Sequence, residues 1–355
     1  MKNDDFFLLI GSYCSKNDPG LFLLSLHDET LSAQIIDTFQ GVENPSYLIG
    51  NDQKVYAILE TECFDGKPGG GVASFYIEKN TIQLKTAMST GSPGPCHLSI
   101  DDRHRFLFAS NYLGGSLSMF SLTEDEKLLL CDQKQHCGHG SHPLRQEAPH
   151  VHCCVVSPDQ TFVMTADLGL DRIFCYKIDA PNRKLIHDPL RDIDFPSGCG
   201  IRHLLFSILD SKIIYAVSEL SSQVFALRET EGKYQIFQTL STLPPGVQNS
   251  TCAAIRLSPD GRFLYISNRG HDSIAVFRIL PSGTLQPVEI VPSHGKTPRD
   301  LHVSHSFVAV ANQDSNKVSF FRRDKHTGAL TFQKQEVQIH SPSCIIELTK
   351  RRNQT

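Results

Sequence analysis

Six basic side chains, His97, His150, His152, Arg202, His203 and Arg299, each stand at the start of a short apolar run, and Glu60, Asn111, Asp167, Glu219, Asn268, Arg269 and Asn312 stand where the next run ends. Guanidinium groups hold carboxylate or phosphate through paired hydrogen bonds, and histidine and glutamate move protons near neutral pH when their surroundings tune them. Arg202, Arg269 and Arg299 with Glu219 therefore point to an anionic small-molecule ligand, although any one arginine could serve a local ion pair instead. His150 and His152 are two apart, so on a strand both face the same way. As a metal pair they lack a third histidine fixed nearby by spacing, and packed histidines or acid–base and anion-binding roles fit the same pattern. No metal site and no cofactor is expected.

These residues recur because the chain recurs. A polar-Pro-x-x-apolar step, or a close variant, opens segments at 44–48, 94–98, 148–152, 200–204, 252–255, 297–301 and 341–345, at spacings of roughly 45 to 54 residues, the span of four short strands with their turns. A turn such as Ser157-Pro158-Asp159-Gln160 or Ser258-Pro259-Asp260-Gly261 follows, then a β-prone run such as 106–111, 162–167, 213–219, 263–268 or 307–312. A third run ends near Phe or Tyr, and a fourth is polar and variable, as an outermost strand would be. The pattern predicts an all-β fold, a seven-bladed β-propeller of four-stranded antiparallel blades. The last opening step has no second strand after it, and the runs at 7–12 and 21–26 have no opening step before them. The strand at 342–348 is therefore expected as the innermost strand of the amino-terminal blade, which closes the ring and removes its free edge. The expected domain spans 1–350, with a polar tail at 351–355.

In an antiparallel hairpin the start of one strand lies beside the end of the next, so both sets of polar residues should reach one rim of the central channel. The run from His136 to His142, with Pro143 and Arg145 after it, reads as a loop leaning over the channel mouth rather than a metal site.

The net charge of −4, with 20% charged residues, gives no basic excess for nucleic acid. The acidic start, Met1 to Asp5, and the short apolar run at 6–10 fit neither a secretory signal nor a membrane span, so a cytoplasmic protein without a membrane partner is expected. The 11 cysteines include no Cys-x-x-Cys pair and read as reduced core thiols; tryptophan is absent, against a WD-type propeller. No Gly-x-Ser-x-Gly elbow, Walker loop, dinucleotide fingerprint or His-Glu-x-x-His is present, so serine hydrolase, nucleotide and zincin chemistry lack support.

The segments 94–98 with 106–112, 145–152, 167–172, 201–204, 218–222, 258–265, 267–273 and 297–300, taken in order, resemble the seven-bladed propeller lactonases, which include the propeller-type 6-phosphogluconolactonases and carboxy-cis,cis-muconate cyclase. The resemblance covers essentially the whole chain. It places catalytic positions on His150 or His152, Arg202, Glu219 and Arg269; the neighbouring rim residues His97, Asn111, His203, Asn268 and Arg299 are expected to bind substrate. Ile201 and Ser218 depart from the family's usual Pro and Asn. The expected reaction is metal-independent hydrolysis of 6-phosphogluconolactone, with Glu219 or His150 as general base, Arg202 at the oxyanion, and Arg269 supported by Arg299 at the phosphate. A muconate-type reaction on an unphosphorylated carboxylate and a non-catalytic binding propeller are the alternatives. A monomer is expected, since a closed ring leaves no strand edge to pair.

Overall fold

Blades 4 and 6 are each seeded by a turn that closes on its own hydrogen bonds. Ser157 and Ser258 donate their hydroxyls to Asp159 (2.5 Å) and Asp260 (2.6 Å), and accept from the amides of Phe162 and Phe263. Gln160 and Gly261 take the left-handed backbone these turns need, at φ 61° and 69°. Alternating apolar residues then carry the chain through the second strand.

The computed structural model describes residues 5–50, 53–123 and 127–348; the tail expected at 351–355 lies outside the described residues. Seven antiparallel sheets make the seven blades. Their innermost strands, from blade 1 to blade 7, are Pro342–Leu348, Leu48–Gly50, Pro95–Ile100, Val151–Val156, Ile201–Phe206, Thr251–Leu257 and Pro298–Val303. Blade 4 gains a short fifth strand, Ile193–Asp194, and a two-stranded hairpin, Cys63–Phe64 with Lys67–Pro68, projects from blade 2. Pro342–Leu348 pairs antiparallel with Asp5–Ser12, so the ring closes within blade 1 as the repeat predicts. The opening step at 44–48 yields only a three-residue strand. Asn44 is left-handed there (φ 47°), and its side chain is bonded to the amide of Cys14 and the carbonyl of Glu60 instead of continuing the ladder.

The core is distributed. Seven apolar clusters lie one between each pair of neighbouring blades, such as Leu9, Val55, Phe75 and Cys344 between blades 1 and 2, or Phe108, Met119, Cys154 and Val163 between blades 3 and 4. A blade alone could not bury both faces, so stability comes from the ring. Eight of the cysteines are buried as free thiols, six of them in these layers and Cys14 and Cys96 outside them; Cys63 and Cys137 are exposed and Cys131 is half-buried. At the outer rim, side chains reach sideways to the next blade: Asp37, Asp132, Gln238 and Glu289 each accept, at 2.7 Å, from the amides of Ile82, Leu185, Leu285 and Leu330.

Candidate active site

The innermost strands carry a β-bulge at a recurring place. In blade 3, Pro95 pairs with Asn111 and His97 with Ser110, which leaves Cys96 unpaired; the same skip leaves out His152 in blade 4, Arg202 in blade 5, Arg299 in blade 7 and Ser343 in blade 1. A bulge re-aims the extra residue. All five of these residues line one cavity in the channel, together with Tyr13, Ser46, Tyr47, Glu60, His203 and Asp300. Blade 6 has Ala253 and Ala254 at the bulge, so it contributes no large side chain there.

The second contribution comes from the residue just past each second strand. Tyr13, Glu60, Tyr112, Glu219 and Arg269 hold this position or its equivalent in the register, facing the channel, whereas the residue before it faces into the blade. That one-residue offset corrects two expectations. Asn111 donates to Ser116 O, Ser116 Oγ and Ser118 Oγ, and Asn268 donates to Thr242 O and Ser273 Oγ; both are fully buried turn locks and touch no cavity. Asn312 is locked in the same way. Asp167 is structural too, bonded to His136 Nδ1 at 2.7 Å and to the amide of His150.

Glu219 is the hub of the arginines. Its Oε2 pairs with Arg202 Nη1 and with Arg269 Nη2 (2.9 Å), and its Oε1 with Arg145 Nη2 (2.5 Å). Burial alone would raise its pKa, but Arg202 and Arg269 above all hold the carboxyl well below the usual carboxylate range. Arg269 is electrostatically crowded: burial, then Arg202 and Arg299, push it down to about 10 against the pull of Glu219, and its buried Nε has no partner among the described residues. Arg202 also donates Nε to Ala253 O at 3.0 Å, and its Nη2 has no hydrogen-bond partner among the described residues. Arg299 lies 4.9 Å from the Tyr13 ring centroid and has no hydrogen bond or ion pair among the described residues.

Arg145 was not picked out as a site residue from the sequence. The loop at 136–149 carries it, and Gln146 fastens that loop: its Oε1 accepts from the amides of Ser141 and His142, and its Nε2 donates to Leu168 O and Asp171 Oδ1. Asp171 in turn holds the amides of Gly198 and Gly200 ahead of Arg202. The loop thus reaches the arginine cluster as expected, but through Arg145; His136 is buried between Asp167 and Tyr176 as a structural residue.

The histidines divide. His152 and His203 line the cavity with ring centroids 5.2 Å apart, and burial first, then Arg202, keeps both neutral by pushing their pKa well below the usual value. His152 Nδ1 lies 3.7 Å from Cys96 Sγ and its Nε2 has no partner among the described residues. His150 is displaced from the cavity wall. Its ring stacks on Tyr112 at 4.4 Å, with Nδ1 3.1 Å from Tyr112 O and Nε2 3.2 Å from Glu147 Oε1. His97 stands behind Tyr47 and His203, its ring nitrogens facing Cys153 Sγ and the Cys154 amide, so it does not reach a ligand. Among the described residues no group of three or more His, Cys, Asp or Glu side chains is placed to hold a metal ion, and no helix is long and apolar enough to cross a membrane.

A buried ring of guanidinium groups with neutral histidines can bind an anionic carbonyl compound, stabilise an oxyanion and accept a proton from water. The chain is 33% identical over 345 residues to the 6-phosphogluconolactonase of Bacillus subtilis, covering 95% of this chain and 96% of that one. It is 34% identical over 348 residues to an uncharacterized protein of Lactococcus lactis, covering 96% and 99%. The structure of the periplasmic gluconolactonase PpgL of Pseudomonas aeruginosa superposes with a TM-score of 0.91 at 30% identity, over 98% of this chain and 99% of that one. The model of the seven-bladed β-propeller lactonases matches residues 7–347, and the chain belongs to that family.

Proposed function

We propose that this protein hydrolyses the lactone of a sugar acid, 6-phosphogluconolactone to 6-phosphogluconate, without a metal ion. The observation that carries the reading is Arg299, a guanidinium that lines the cavity with no ion pair or hydrogen bond among the described residues, next to the unpartnered Nη2 of Arg202. Glu60 and Glu219 support the charge of Arg299 from beyond ion-pair distance, so its N–H groups are left for an oxygen of the ligand, above all one that gains charge. In this reading the lactone carbonyl oxygen faces Arg202 and Arg299, and the phosphate faces the partly exposed Arg269 and Arg145.

His152 is the general base. Glu219 is unsuited to it, because three guanidinium groups occupy both of its oxygens, and both ring nitrogens of His150 face other partners, whereas Nε2 of His152 has no partner among the described residues. Neutral His152 takes a proton from water as the water oxygen attacks the carbonyl carbon. Arg202 and Arg299 stabilise the resulting oxyanion. As the intermediate collapses, the bond from the carbonyl carbon to the ring oxygen breaks and His152 returns its proton to that oxygen. Glu219 acts as a positioning residue that holds Arg202 in place. The protein acts in this reading as a cytoplasmic monomer on a soluble anion.

The test is the hydrolysis of freshly generated 6-phosphogluconolactone by purified protein, followed against spontaneous opening, with and without chelator and beside unphosphorylated gluconolactone. Chelator-resistant acceleration that favours the phosphorylated lactone supports the reading. Acceleration of neither lactone rejects it, and a need for added divalent ion rejects its metal-free part.

A further inference from the structure

Among the described residues three carboxylates come to the channel, Glu60, Glu219 and Asp300, and they are not equivalent. Glu219 is saturated by guanidinium groups, and Asp300 is occupied on both oxygens, by Arg256 at 2.7 Å and by the amide of Ile345 at 3.1 Å. Glu60 is different. It lines the cavity with no cation in ion-pair contact among the described residues, and its hydrogen bonds are to hydroxyls: Tyr13 OH at 2.7 Å and Ser46 Oγ at 2.5 Å, both donating to Oε2. Oε1 has no protein partner among the described residues. The backbone of Glu60 is pinned by Asn44 through its own amide and carbonyl, so the carboxylate is held rather than free to swing away.

An ionised carboxylate only accepts, and its strong partners are hydroxyl and N–H donors. A site that offers one vacant carboxylate oxygen beside two hydroxyls suits a ligand carrying several hydroxyl groups. It disfavours a ligand of the same size without them, because Glu60 would then lose water without replacement. We propose that Glu60, Tyr13 and Ser46 form a hydroxyl-recognition subsite that restricts this enzyme to polyhydroxylated lactones. The inference rests on the lactonase reading. It adds a second determinant to it: the arginines read the carbonyl and the phosphate, and Glu60 reads the sugar hydroxyls on the wall formed by blades 1 and 2. Relatives described as acting on a phosphorylated and on an unphosphorylated gluconolactone share those hydroxyls and differ in the phosphate.

The experiment compares glucono-δ-lactone with δ-valerolactone, which has the ring and no hydroxyls, in the unaltered protein and in Glu60→Gln and Glu60→Asp. The expected result is a fall of about tenfold or more in kcat/KM for gluconolactone, carried by KM, with δ-valerolactone changed less than about twofold. Glu60→Asp keeps the charge, withdraws it by one methylene and should fall between the two, which protects the test if Glu60→Gln folds poorly. Equal losses on both lactones would make Glu60 a catalytic or structural residue and overturn the proposal, as would no change on either. If the unaltered protein hydrolyses neither of these lactones, the lactonase reading is judged on 6-phosphogluconolactone, and calorimetric binding of gluconate against hexanoate decides the subsite alone. A preference for gluconate that Glu60→Gln abolishes sustains it; equal affinities overturn it.

Discussion

Arg202 and Glu219 form a buried ion pair, with side-chain exposures of 5% and 2%, in which the carboxylate is shared with Arg269 and Arg145 while one guanidinium nitrogen of the cavity-lining Arg202 has no partner among the described residues. The pair settles which of its members can do chemistry. Glu219 spends its charge on holding cations in place, and Arg202 presents what is left over to the ligand.

Replacing Glu219 by Gln leaves three guanidinium groups around a neutral amide. The variant should lose about 3 kcal/mol of stability, the scale for breaking a buried pair from one side. Inorganic phosphate should restore part of the melting temperature in the variant and change the unaltered protein less. Melting curves with and without phosphate check both.

The pH dependence of turnover follows from His152. Its pKa in the folded protein lies well below the ordinary histidine value, so the neutral base persists as pH falls through 6.5. The profile of kcat/KM should stay flat through pH 6.5 on its acid side. An acid limb with a midpoint near 6.5 would contradict it. His152→Ala should lower kcat by about 10²-fold or more.

Stability should follow the opposite course. His97, His152 and His203 are all buried neutral, with folded pKa values depressed chiefly by burial. Below pH 6.5 the unfolded chain binds protons that the folded chain refuses, so stability is present above 6.5 and is lost as pH falls below it. Each histidine contributes about 1 kcal/mol of loss between pH 6.5 and 5.5, about 3 kcal/mol together. Denaturant melts at the two pH values measure the sum, and His97→Gln should remove about a third of it.

Arg145→Ala removes the one cluster arginine supplied by a loop. It should weaken kcat/KM for the phosphorylated lactone by about tenfold, a loss of about 1.4 kcal/mol, and for the unphosphorylated lactone by much less. Parallel kinetics on the two substrates separate a phosphate contact from a general effect on the cluster.

Asn268→Ala tests the corrected placement of the strand-end asparagines. Losing its buried bonds to Thr242 O and Ser273 Oγ should cost about 1–3 kcal/mol. KM should stay unchanged, whereas a ligand contact would raise it.

The ring itself was readable from the sequence because it is written many times: the opening step, the Ser-Pro-Asp turn and the apolar second strand repeat in register. The site was readable only in part, because single-residue phase decides it. His150 follows the proline of its repeat as Cys96 and Arg299 follow theirs, yet blade 4 pairs Val151 with Asp167, and the bulge falls on His152. Asn111 and Glu60 are both polar residues at a strand end, and only the offset of one residue sends the second into the channel. Tyr13, Ser46 and Ser343 were passed over because the same positions in other blades hold charged residues, and Arg145 because its reach depends on the fold of its loop. Repeats aligned on the bulge instead of on proline would have brought Cys96, His152, Arg202, Arg299 and Ser343 into one column.

The pairing of Pro342–Leu348 with Asp5–Ser12 also sets the order of events at the ribosome. The amino-terminal strands are made first and receive their inner neighbour last. Until then they hold out an unpaired edge and apolar residues such as Leu8 and Ile10, which are wholly buried in the finished ring. Six blades must be synthesised while the first waits. The nascent chain is thus most open to mispairing at these waiting strands of blade 1, and the cavity, which needs Ser343 from Pro342–Leu348 and Tyr13 beside Asp5–Ser12, can take shape only when the two meet.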